Sequence, residues 1–305
     1  MKNKILVLMG GISEERAISI LSGRACERAL RKKKYKVKVL DPRGNFINEI
    51  RKIKPKIVFN ALHGRFGEDG YIQSILESEK IKYTHSGVLA SSIAIDKEVS
   101  KKIFIEKKIS TPKFFVYNYS DSLNIFRLIK KSKISFPVVI KPINEGSSIG
   151  VYICTKKNLN KNLKKLRKYN RILVEQYIPG REIQVAVMNK KALGAIELRP
   201  KRKFYDYKAK YSSKAKTKHI MPAPLESKKY KEVLSIAEKA HLALGCRGIT
   251  RSDFRYYNGN FFLLEINTQP GMTNLSLVPE IAAYRGIKFE NLVEWMIKDA
   301  SFKRY

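Results

Sequence analysis

A short apolar segment, residues 4–9 (KILVLM), constrains the fold more than any other feature, because it stops abruptly at Gly10-Gly11. An apolar run of this length that ends at glycine is typical of a buried β-strand leading into a loop. A helix is predicted next, with Ser13 as its N-cap and its end near Lys33. The alternation continues with two strands and a helix: 37–40, 57–62 and a helix from Asp69. Strands that alternate with helices favour a parallel sheet wrapped by helices.

The rest of the chain has a different pattern. Between 97 and 177 the predicted strands return through short loops, which favours an antiparallel sheet with helices on one face. From 178 to 305 the strands are longer, and a hairpin is predicted over 249–256 and 260–268 before two final helices. With 305 residues, 44% of them hydrophobic, the chain is long enough for two or three compact domains. We therefore predict an α/β fold with an α+β C-terminal part, in three domains: 1–96, 97–177 and 178–305.

The charge balance is strongly basic, with 62 Lys and Arg residues against 27 Asp and Glu and a formal net charge of +35. Such a charge is typical of proteins that bind nucleic acid or anionic membranes. Here the basic residues are spread along the whole chain, and pairs such as Lys101-Lys102 and Lys130-Lys131 are predicted to face water on helices. We favour a general drift of the surface toward lysine, with attraction of small anions such as nucleotides at low salt. No nucleic-acid partner is expected.

The cysteines and the N-terminus bear on the compartment. Cys26, Cys154 and Cys246 are odd in number and far apart, so neither a disulfide framework nor a zinc site is supported. The apolar run before Gly10 is too short for a signal-peptide core, and no run of about 20 apolar residues occurs. A cytoplasmic protein with reduced thiols and no membrane insertion is expected.

The predicted hairpin carries polar side chains suited to holding a metal ion. Alternate residues of a strand share a face, so Arg251 lies with Asp253, and Glu265 lies with Asn267. Two carboxylates and an amide supply the oxygen ligands that magnesium prefers. The alternative is a solvated hairpin face with ordinary surface acids. However, Glu265 lies within an apolar strand (FFLLEINT), where an unpaired acid is costly.

The length of the hairpin loop decides whether Asp253 and Glu265 share a face. A two-residue turn at Asn258-Gly259 would pair residue 253 with 264 and direct Glu265 away. A three-residue loop, 257–259, would pair 253 with 263 and place Glu265 on the same face as Asp253, with glycine in the left-handed conformation. We therefore predict the three-residue loop.

Two further segments suit a nucleotide but are weaker signals. Residues 145–150 (EGSSIG) follow a predicted strand, and their small side chains would let backbone N–H groups approach a phosphate, with Lys141 upstream as a cation. The segment lacks the spacing of Walker and Rossmann phosphate loops, so a simple hairpin turn is an equally good interpretation. Residues 175–178, with Glu182, would offer backbone groups to adenine and a carboxylate to ribose. On that segment alone, an ordinary strand end is the better interpretation.

Taken together, these segments resemble the D-alanine–D-alanine ligases of the ATP-grasp superfamily over nearly the whole chain. The matching stretches, in order, are LMGGISEERAIS, ALHGRFGEDGYIQ, YTHSGVLASSIAIDK, VIKPINEGSSIGV, YDYKAKY and LLEINTQPGMTNLSLVP. The second and the last are specific in combination, and their order and spacing agree with the family. The resemblance implies an ATP-grasp fold in three domains, the first with a parallel sheet.

The resemblance implies a nucleotide site and a metal site. Phosphate contacts fall to Lys97, Lys141 and Lys210, and the mobile loop over the phosphates contains Glu145, Ser147 and Ser148. Glu175 and Ile178 flank adenine, and Glu182 holds the ribose. Two magnesium (or manganese) ions are held by Asp253, Glu265 and Asn267.

It also implies the substrate contacts. Glu15 pairs with the ammonium group of the first D-alanine, and His63 lies by its carboxylate. Ser276 and Leu277 bind the carboxylate of the second D-alanine. A hydrogen-bonded triad that closes the lid consists of Glu15, Ser147 and Tyr211. The oxyanion that forms during the reaction is stabilised by Arg251 and by the backbone N–H of Gly271.

The implied activity is ATP-dependent ligation of two D-alanines through an acyl phosphate, for peptidoglycan precursors, by a homodimer. Tyr211 favours this product over D-alanyl-D-lactate, whose ligases carry histidine in the lid region. A different ATP-grasp carboxylate–amine ligase is the alternative within the superfamily. Gln176-Tyr177 departs from the Lys-Trp of many relatives and is expected to change adenine stacking or affinity, not the reaction. His85 and His241 are predicted to have structural or surface roles.

Overall fold

The computed structural model describes residues 4–121, 123–200, 217–273 and 275–302. Its first sheet contains four parallel strands in the order β2-β1-β3-β4: β1 Lys4–Leu8, β2 Lys36–Leu40, β3 Ile57–Asn60 and β4 Lys82–Tyr83. The helices between and after these strands are α1 Arg16–Lys32, α2 Phe46–Ile53, α3 Tyr71–Ser78 and α4 Val88–Ile95. The predicted parallel sheet is therefore confirmed, whereas α2 and α4 had not been predicted.

The start of α1 differs from the prediction in a way that concerns the site. Ser13 does not cap the helix; its Oγ accepts a hydrogen bond from the Glu15 backbone N–H at 3.2 Å and donates to the His63 carbonyl at 2.6 Å. The helix begins at Arg16, with Glu15 in the cap position and no side-chain cap. Ser13 thus shapes the turn that precedes the helix. This turn directs the Glu15 side chain into the protein interior, and Glu15 is 4% exposed.

The second sheet is antiparallel, as predicted, with the order β5-β8-β6-β7. Its strands are β5 Phe114–Asn118, β6 Val138–Pro142, β7 Tyr152–Cys154 and β8 Arg171–Gln176. The helices of this region are α5 Lys97–Glu106, α6 Ile125–Lys131 and α7 Leu159–Leu166, followed by a short 3₁₀ turn. Val138 and Ile140 of β6 pack with Ile172 and Val174 of β8 against α6 and α7. Because side chains alternate along a strand, Lys141 and Glu175 project from the opposite face.

The third sheet has five antiparallel strands in the order β11-β10-β9-β12-β13. They are β9 Arg181–Met188, β10 Lys191–Arg199, β11 Lys218–Ile220, β12 Ile249–Tyr257 and β13 Asn260–Asn267. Three helices complete the fold: α8 Ser227–Ala243, α9 Leu277–Tyr284 and α10 Phe289–Asp299. Helix α8 packs on one face of the sheet through Val233 and Ala237, while α9 packs on the other through Ile281. The second of these cores also contains β1 and α1, so the first and third sheets are joined by one apolar cluster.

The cysteines and the helix lengths bear on the expected compartment. Cys26, Cys154 and Cys246 are free, buried thiols, and burial raises the pKa of Cys26 and raises that of Cys246 to about 12. Within the described ranges, no helix is both long enough and apolar enough to cross a membrane.

Candidate active site

The β12–β13 hairpin is closed by a tight two-residue turn, not by the predicted three-residue loop. Tyr257 pairs directly with Asn260, and the residues between them, Asn258 and Gly259, have positive φ angles of 47° and 76°. Two successive left-handed residues define the mirror-image turn that matches the twist of paired strands, and Asn-Gly is its preferred sequence. The predicted loop length was therefore wrong.

A β-bulge nevertheless brings the predicted metal ligands together. The register shifts between Asp253 and Phe254, because Leu263 pairs with Phe254 while Leu264 is an extra residue with no opposite partner. Asp253 therefore lies opposite Glu265, and beyond them Arg251 lies opposite Asn267. The four polar side chains share one face of the sheet, as the prediction required, although the bulge and not the loop produces this arrangement.

Basic side chains neutralise both carboxylates of this face. Arg251 holds Asp253 in a two-pronged ion pair, with its Nε 2.7 Å from Oδ1 and its Nη2 3.0 Å from Oδ2. Lys97 Nζ lies 3.4 Å from Glu265 Oε2 and donates at 2.6 Å to the backbone carbonyl of Glu145. Lys97 therefore links the hairpin to the start of the 145–150 loop.

The donor set of this face fits a hard divalent cation. Asp253 and Glu265 face each other across the strand pair, and the Asn267 side-chain oxygen, which accepts from the Gln269 backbone N–H at 2.8 Å, is the third oxygen. Carboxylate and amide oxygens are the ligands that magnesium takes together with phosphate oxygens. Among the described residues, no cluster of three or more His, Cys, Asp or Glu side chains is suited to a metal. A site built here therefore relies on Asn267 and on the bound ligand for its remaining donors.

The 145–150 loop reaches the N-terminal helix through Glu15. Ser147 Oγ donates a hydrogen bond to Glu15 Oε1, so two of the three members of the predicted triad are in contact. Ser147 and Ser148 both have left-handed backbones, with φ of 49° and 60°. At Gly146 a Cβ atom would lie 3.0 Å from Glu15 Oε2 and 3.1 Å from Glu68 Oε1, so a side chain there would push against two carboxylates.

Glu68 was not predicted as part of the site. It is 8% exposed, and burial, followed by the neighbouring charge of Glu15, raises its pKa to about 8. The protonated form of Glu68 is therefore favoured, which reduces the negative charge beside Glu15. The family-like stretch that contains Glu68 was recognised in the sequence, but nothing in the spacing indicated that this acid would be buried.

His63 lies in the same buried region. Burial, and then the positive charge of Arg251, lowers the pKa of His63 to about 4, so the ring is neutral at physiological pH. Its Nε2 is 3.2 Å from Ser22 Oγ, which in turn accepts from the Met272 backbone N–H at 3.2 Å. His63 is thereby tied to the segment after β13 that contains Gly271.

The segment after β13 ends in a compact turn before α9. Ser276 Oγ accepts from the Thr273 backbone N–H at 2.9 Å, and Leu277 is the first residue of α9 and is 6% exposed. A Cβ atom on Gly271 would lie 2.9 Å from Ser276 Oγ. Gly271 is thus required for the close approach of its backbone to Ser276.

A cleft between the second and third sheets contains the side chains expected to bind a nucleotide. Its lining includes Lys97, Lys141, Glu145, Ser148, Glu175, Ile178, Glu182, Asp253 and Glu265. Arg255, which was not predicted, also lines it; its Nε donates to the Ile178 carbonyl at 3.0 Å, and its Nη1 lies 3.5 Å from Glu182 Oε2. Arg255 therefore fixes the turn between β8 and β9 against the β12–β13 hairpin.

Comparison with known proteins identifies the family. Residues 106–298 match the family model described as D-ala D-ala ligase C-terminus. The chain is 60% identical over 305 residues to a D-alanine–D-alanine ligase of Pelagibacter ubique, with both chains covered in full. It is 48% identical to that of Wolbachia pipientis wMel, with 97% of this chain and 94% of the relative covered. The chain belongs to the D-alanine–D-alanine ligase family.

Solved structures of the family agree with the fold. A crystal structure of D-alanine–D-alanine ligase from Bacillus anthracis matches with a TM-score of 0.87 at 33% identity, and covers 97% of both chains. A second structure of the Bacillus anthracis ligase, complexed with ATP, matches with a TM-score of 0.85 at 30% identity and the same coverage. The predicted ATP-grasp fold is therefore confirmed, and the three domain boundaries stay a prediction.

Lys210 and Tyr211, assigned by the resemblance to the phosphates and to the triad, lie outside the described residues.

One lysine that was predicted to face water is buried. Lys101, which had been predicted to face water with Lys102, is fully buried: its Nζ is 3.0 Å from Glu175 Oε2 and donates to Thr111 Oγ1 at 2.6 Å. Two adjacent lysines on a predicted helix do not reveal which of them faces inward, because their side chains point only about 100° apart around the helix axis.

Proposed function

We propose that this chain is an ATP-dependent ligase that joins two D-alanine molecules into D-alanyl-D-alanine for peptidoglycan precursors. The contact between Ser147 and Glu15 is the observation that carries the proposal. It brings the loop expected over the phosphates directly onto the carboxylate expected to bind the ammonium group of the substrate. The names of the relatives identify the same reaction, and one solved relative is an ATP complex.

The nucleotide is bound in the cleft between the second and third sheets. Lys97 and Lys141 contact the phosphates, together with Lys210 and the loop residues Glu145, Ser147 and Ser148. Glu175 and Ile178 lie beside adenine, and Glu182, held by Arg255, bonds to the ribose hydroxyls. Lysine ammonium groups in a cleft with little water stabilise the charge of the triphosphate strongly.

Asp253, Glu265 and Asn267 would hold two magnesium (or manganese) ions. When bound, the metals would neutralise phosphate charge and help to orient the terminal phosphoryl group. Arg251 and Lys97, which hold Asp253 and Glu265 in this structure, are then available to the substrate and to the phosphates.

The first D-alanine is bound through its ammonium group at Glu15, with neutral His63 beside its carboxylate. A carboxylate oxygen attacks the terminal phosphorus of ATP, which forms an acyl phosphate and releases ADP. The amine of the second D-alanine, whose carboxylate is bound at Ser276 and Leu277, attacks the acyl carbon; phosphate leaves and the amine loses a proton. Arg251 and the Gly271 N–H stabilise the oxyanion of the tetrahedral intermediate. The loop that carries Ser147, with Tyr211, excludes water that would hydrolyse the acyl phosphate.

The test is release of ADP in the presence of D-alanine, with wild type compared with Glu265→Ala. Loss of a carboxylate that binds catalytic metal should lower kcat by about 100-fold or more. Glu79→Ala is the matched control, since Glu79 pairs with Arg51 on the surface. Equal activity of wild type and Glu265→Ala would remove the metal assignment, and faster turnover with D-alanine plus D-lactate than with D-alanine alone would replace the product.

A cytoplasmic location and a homodimer are part of this proposal. Sedimentation velocity on the purified chain tests the homodimer, since a dimer has about twice the mass of the 35.1 kDa protomer.

A further inference from the structure

Glu175 has two basic partners in the protein interior. Its Oε1 accepts from Lys141 Nζ at 2.6 Å, and its Oε2 lies 3.0 Å from Lys101 Nζ. The side chains of Glu175, Lys141 and Lys101 are 4%, 7% and 0% exposed. One carboxylate with two ammonium groups leaves one surplus positive charge in a place with little water. Such a charge is costly unless a further anion joins it.

The two lysines differ in what they can reach. Lys141 lines the nucleotide cleft, because strand parity directs it to the face of the sheet opposite the α6–α7 core. Lys101 does not line the cleft. Its Nζ lies 5.4 Å from the ring centre of Phe114 and donates to Thr111 Oγ1, which donates to the Leu263 carbonyl of β13 at 2.7 Å. Lys101 is therefore held behind the cleft, whereas Lys141 stands at its wall.

We propose that Lys101 is a positioning residue that keeps Glu175 charge-balanced while Lys141 turns from Glu175 to the phosphates of the nucleotide. The inference rests on the proposed function, in which Lys141 contacts ATP. One ammonium group is sufficient to balance one carboxylate, so the surplus charge is the one that faces the cleft. The nucleotide phosphates are the anion that accepts it.

The ionisation of Glu175 agrees with this assignment. Burial favours the neutral acid, but the charges of Lys101 and Lys141 outweigh burial and hold the pKa of Glu175 below its usual range. Burial also lowers the pKa of Lys101 to about 8, which leaves the ammonium form predominant at neutral pH. Without Lys101, Glu175 would have Lys141 as its remaining cation, and nucleotide binding would compete for that cation.

Nucleotide affinity measured without D-alanine tests the inference. ATP is titrated by calorimetry, in the presence of magnesium, into wild type, Lys101→Met and Lys102→Met. Lys102 is the matched control, because it follows Lys101 in α5, is 65% exposed and pairs with Glu98 on the surface. Lys101→Met should weaken ATP binding by about 10- to 100-fold, which corresponds to part of the cost of leaving a buried charge unpaired. Lys102→Met should bind ATP as wild type does.

A second pair of variants separates charge balance from packing. In a Glu175→Gln background no carboxylate requires a cation, so adding Lys101→Met should change ATP affinity by less than about twofold. A purely structural role for Lys101 predicts the same loss in both backgrounds. In steady-state kinetics the KM for ATP should rise in Lys101→Met while the KM for D-alanine stays within about twofold of wild type. Wild-type ATP affinity in a folded Lys101→Met, or equal losses in both backgrounds, would overturn the inference.

If Lys101→Met does not fold, Lys101→Gln takes its place, because the amide still donates to Thr111 without the charge; it should show the same loss. If neither folds, the combination of Lys101→Met with Glu175→Gln decides. If the double variant folds and binds ATP as tightly as Glu175→Gln does, the inference is supported. If the double variant does not fold, or binds ATP with a different affinity, the inference is overturned. Because binding is measured without D-alanine, absence of D-alanyl-D-alanine synthesis by wild type would refute only the proposed function.

Discussion

Buried histidines predict that this protein loses stability steeply in mild acid. Burial lowers the pKa of His63 to about 4 and of His241 to about 4, and that of His85 to about 3, from an ordinary value of 6.5. In the unfolded chain each ring takes up a proton below its ordinary pKa, whereas the folded protein keeps it neutral. The stabilisation is therefore fully present above pH 6.5 and is lost as the pH falls from 6.5 toward 4.

His241 is the position at which to measure this effect, because it lies in α8 away from the site. It is 0% exposed, its Nδ1 is 2.8 Å from Thr250 Oγ1, and its Nε2 has no partner in the described part of the chain. At pH 5 the ordinary pKa lies 1.5 units above the pH and the folded pKa lies below it. At about 1.4 kcal/mol per unit, keeping this ring neutral lowers the free energy of unfolding at pH 5 by about 2 kcal/mol relative to pH 8.

The assay is urea unfolding of wild type and His241→Leu at pH 8 and pH 5. The fall in the free energy of unfolding between the two should be smaller by about 2 kcal/mol in the variant. Thr250→Val is the control: it removes the hydrogen bond to the ring but keeps the ring, so it should destabilise by about 1 kcal/mol at both pH values and retain the full fall. If His241→Leu loses as much stability as wild type on acidification, the ring is not held neutral and the reasoning fails.

Two substitutions examine the 145–150 loop and the turn proposed to bind the second D-alanine. Ser147→Ala removes a hydrogen bond to the buried Glu15 carboxylate, and such bonds are worth about 1.5–3 kcal/mol, so kcat/KM for D-alanine should fall by roughly 10- to 150-fold; an unchanged value would mean that the contact does not hold the loop. Gly271→Ala places a Cβ atom 2.9 Å from Ser276 Oγ. It should displace Ser276 and raise the KM of the second D-alanine by about tenfold, with ATP affinity unchanged; a KM equal to wild type contradicts the assignment of this turn to the second substrate.

The sheets were predictable because their patterns depend on local periodicity. Apolar runs between amphipathic helices indicated the parallel sheet, and short loops indicated the antiparallel sheets. The bulge at Leu264 was not predictable in the same way. Leu263 and Leu264 are equally apolar, so alternation does not show which of them is the extra residue. A metal site at the hairpin could be proposed from the sequence because Glu265 in an apolar strand requires a partner, whichever route the backbone takes to provide one.

Buried charges were harder to predict than buried apolar residues. In a chain with 62 basic residues, a lysine such as Lys101 is indistinguishable from those on the surface. Its burial depends on Glu175, which is 74 positions later in the chain and belongs to another element, and no local pattern links the two. The same holds for Glu68, whose environment is created by Glu15 and by the close approach of Gly146. Long-range electrostatic partners require the fold before they can be assigned.

Three acids of the site share one arrangement that constrains how ligands bind. Each is held by a basic side chain of the same chain: Asp253 by Arg251, Glu265 by Lys97, and Glu175 by Lys141. In the proposed reaction those same basic groups face phosphates or the oxyanion. Ligand binding therefore exchanges ion-pair partners instead of burying new uncompensated charge, and its free energy depends on the difference between two sets of pairs. For that reason removal of one member of a pair should weaken binding more than removal of both. At the pair of Glu175 and Lys141, the proposed role of Lys101 is to stay with Glu175, so that Lys141 can exchange partners.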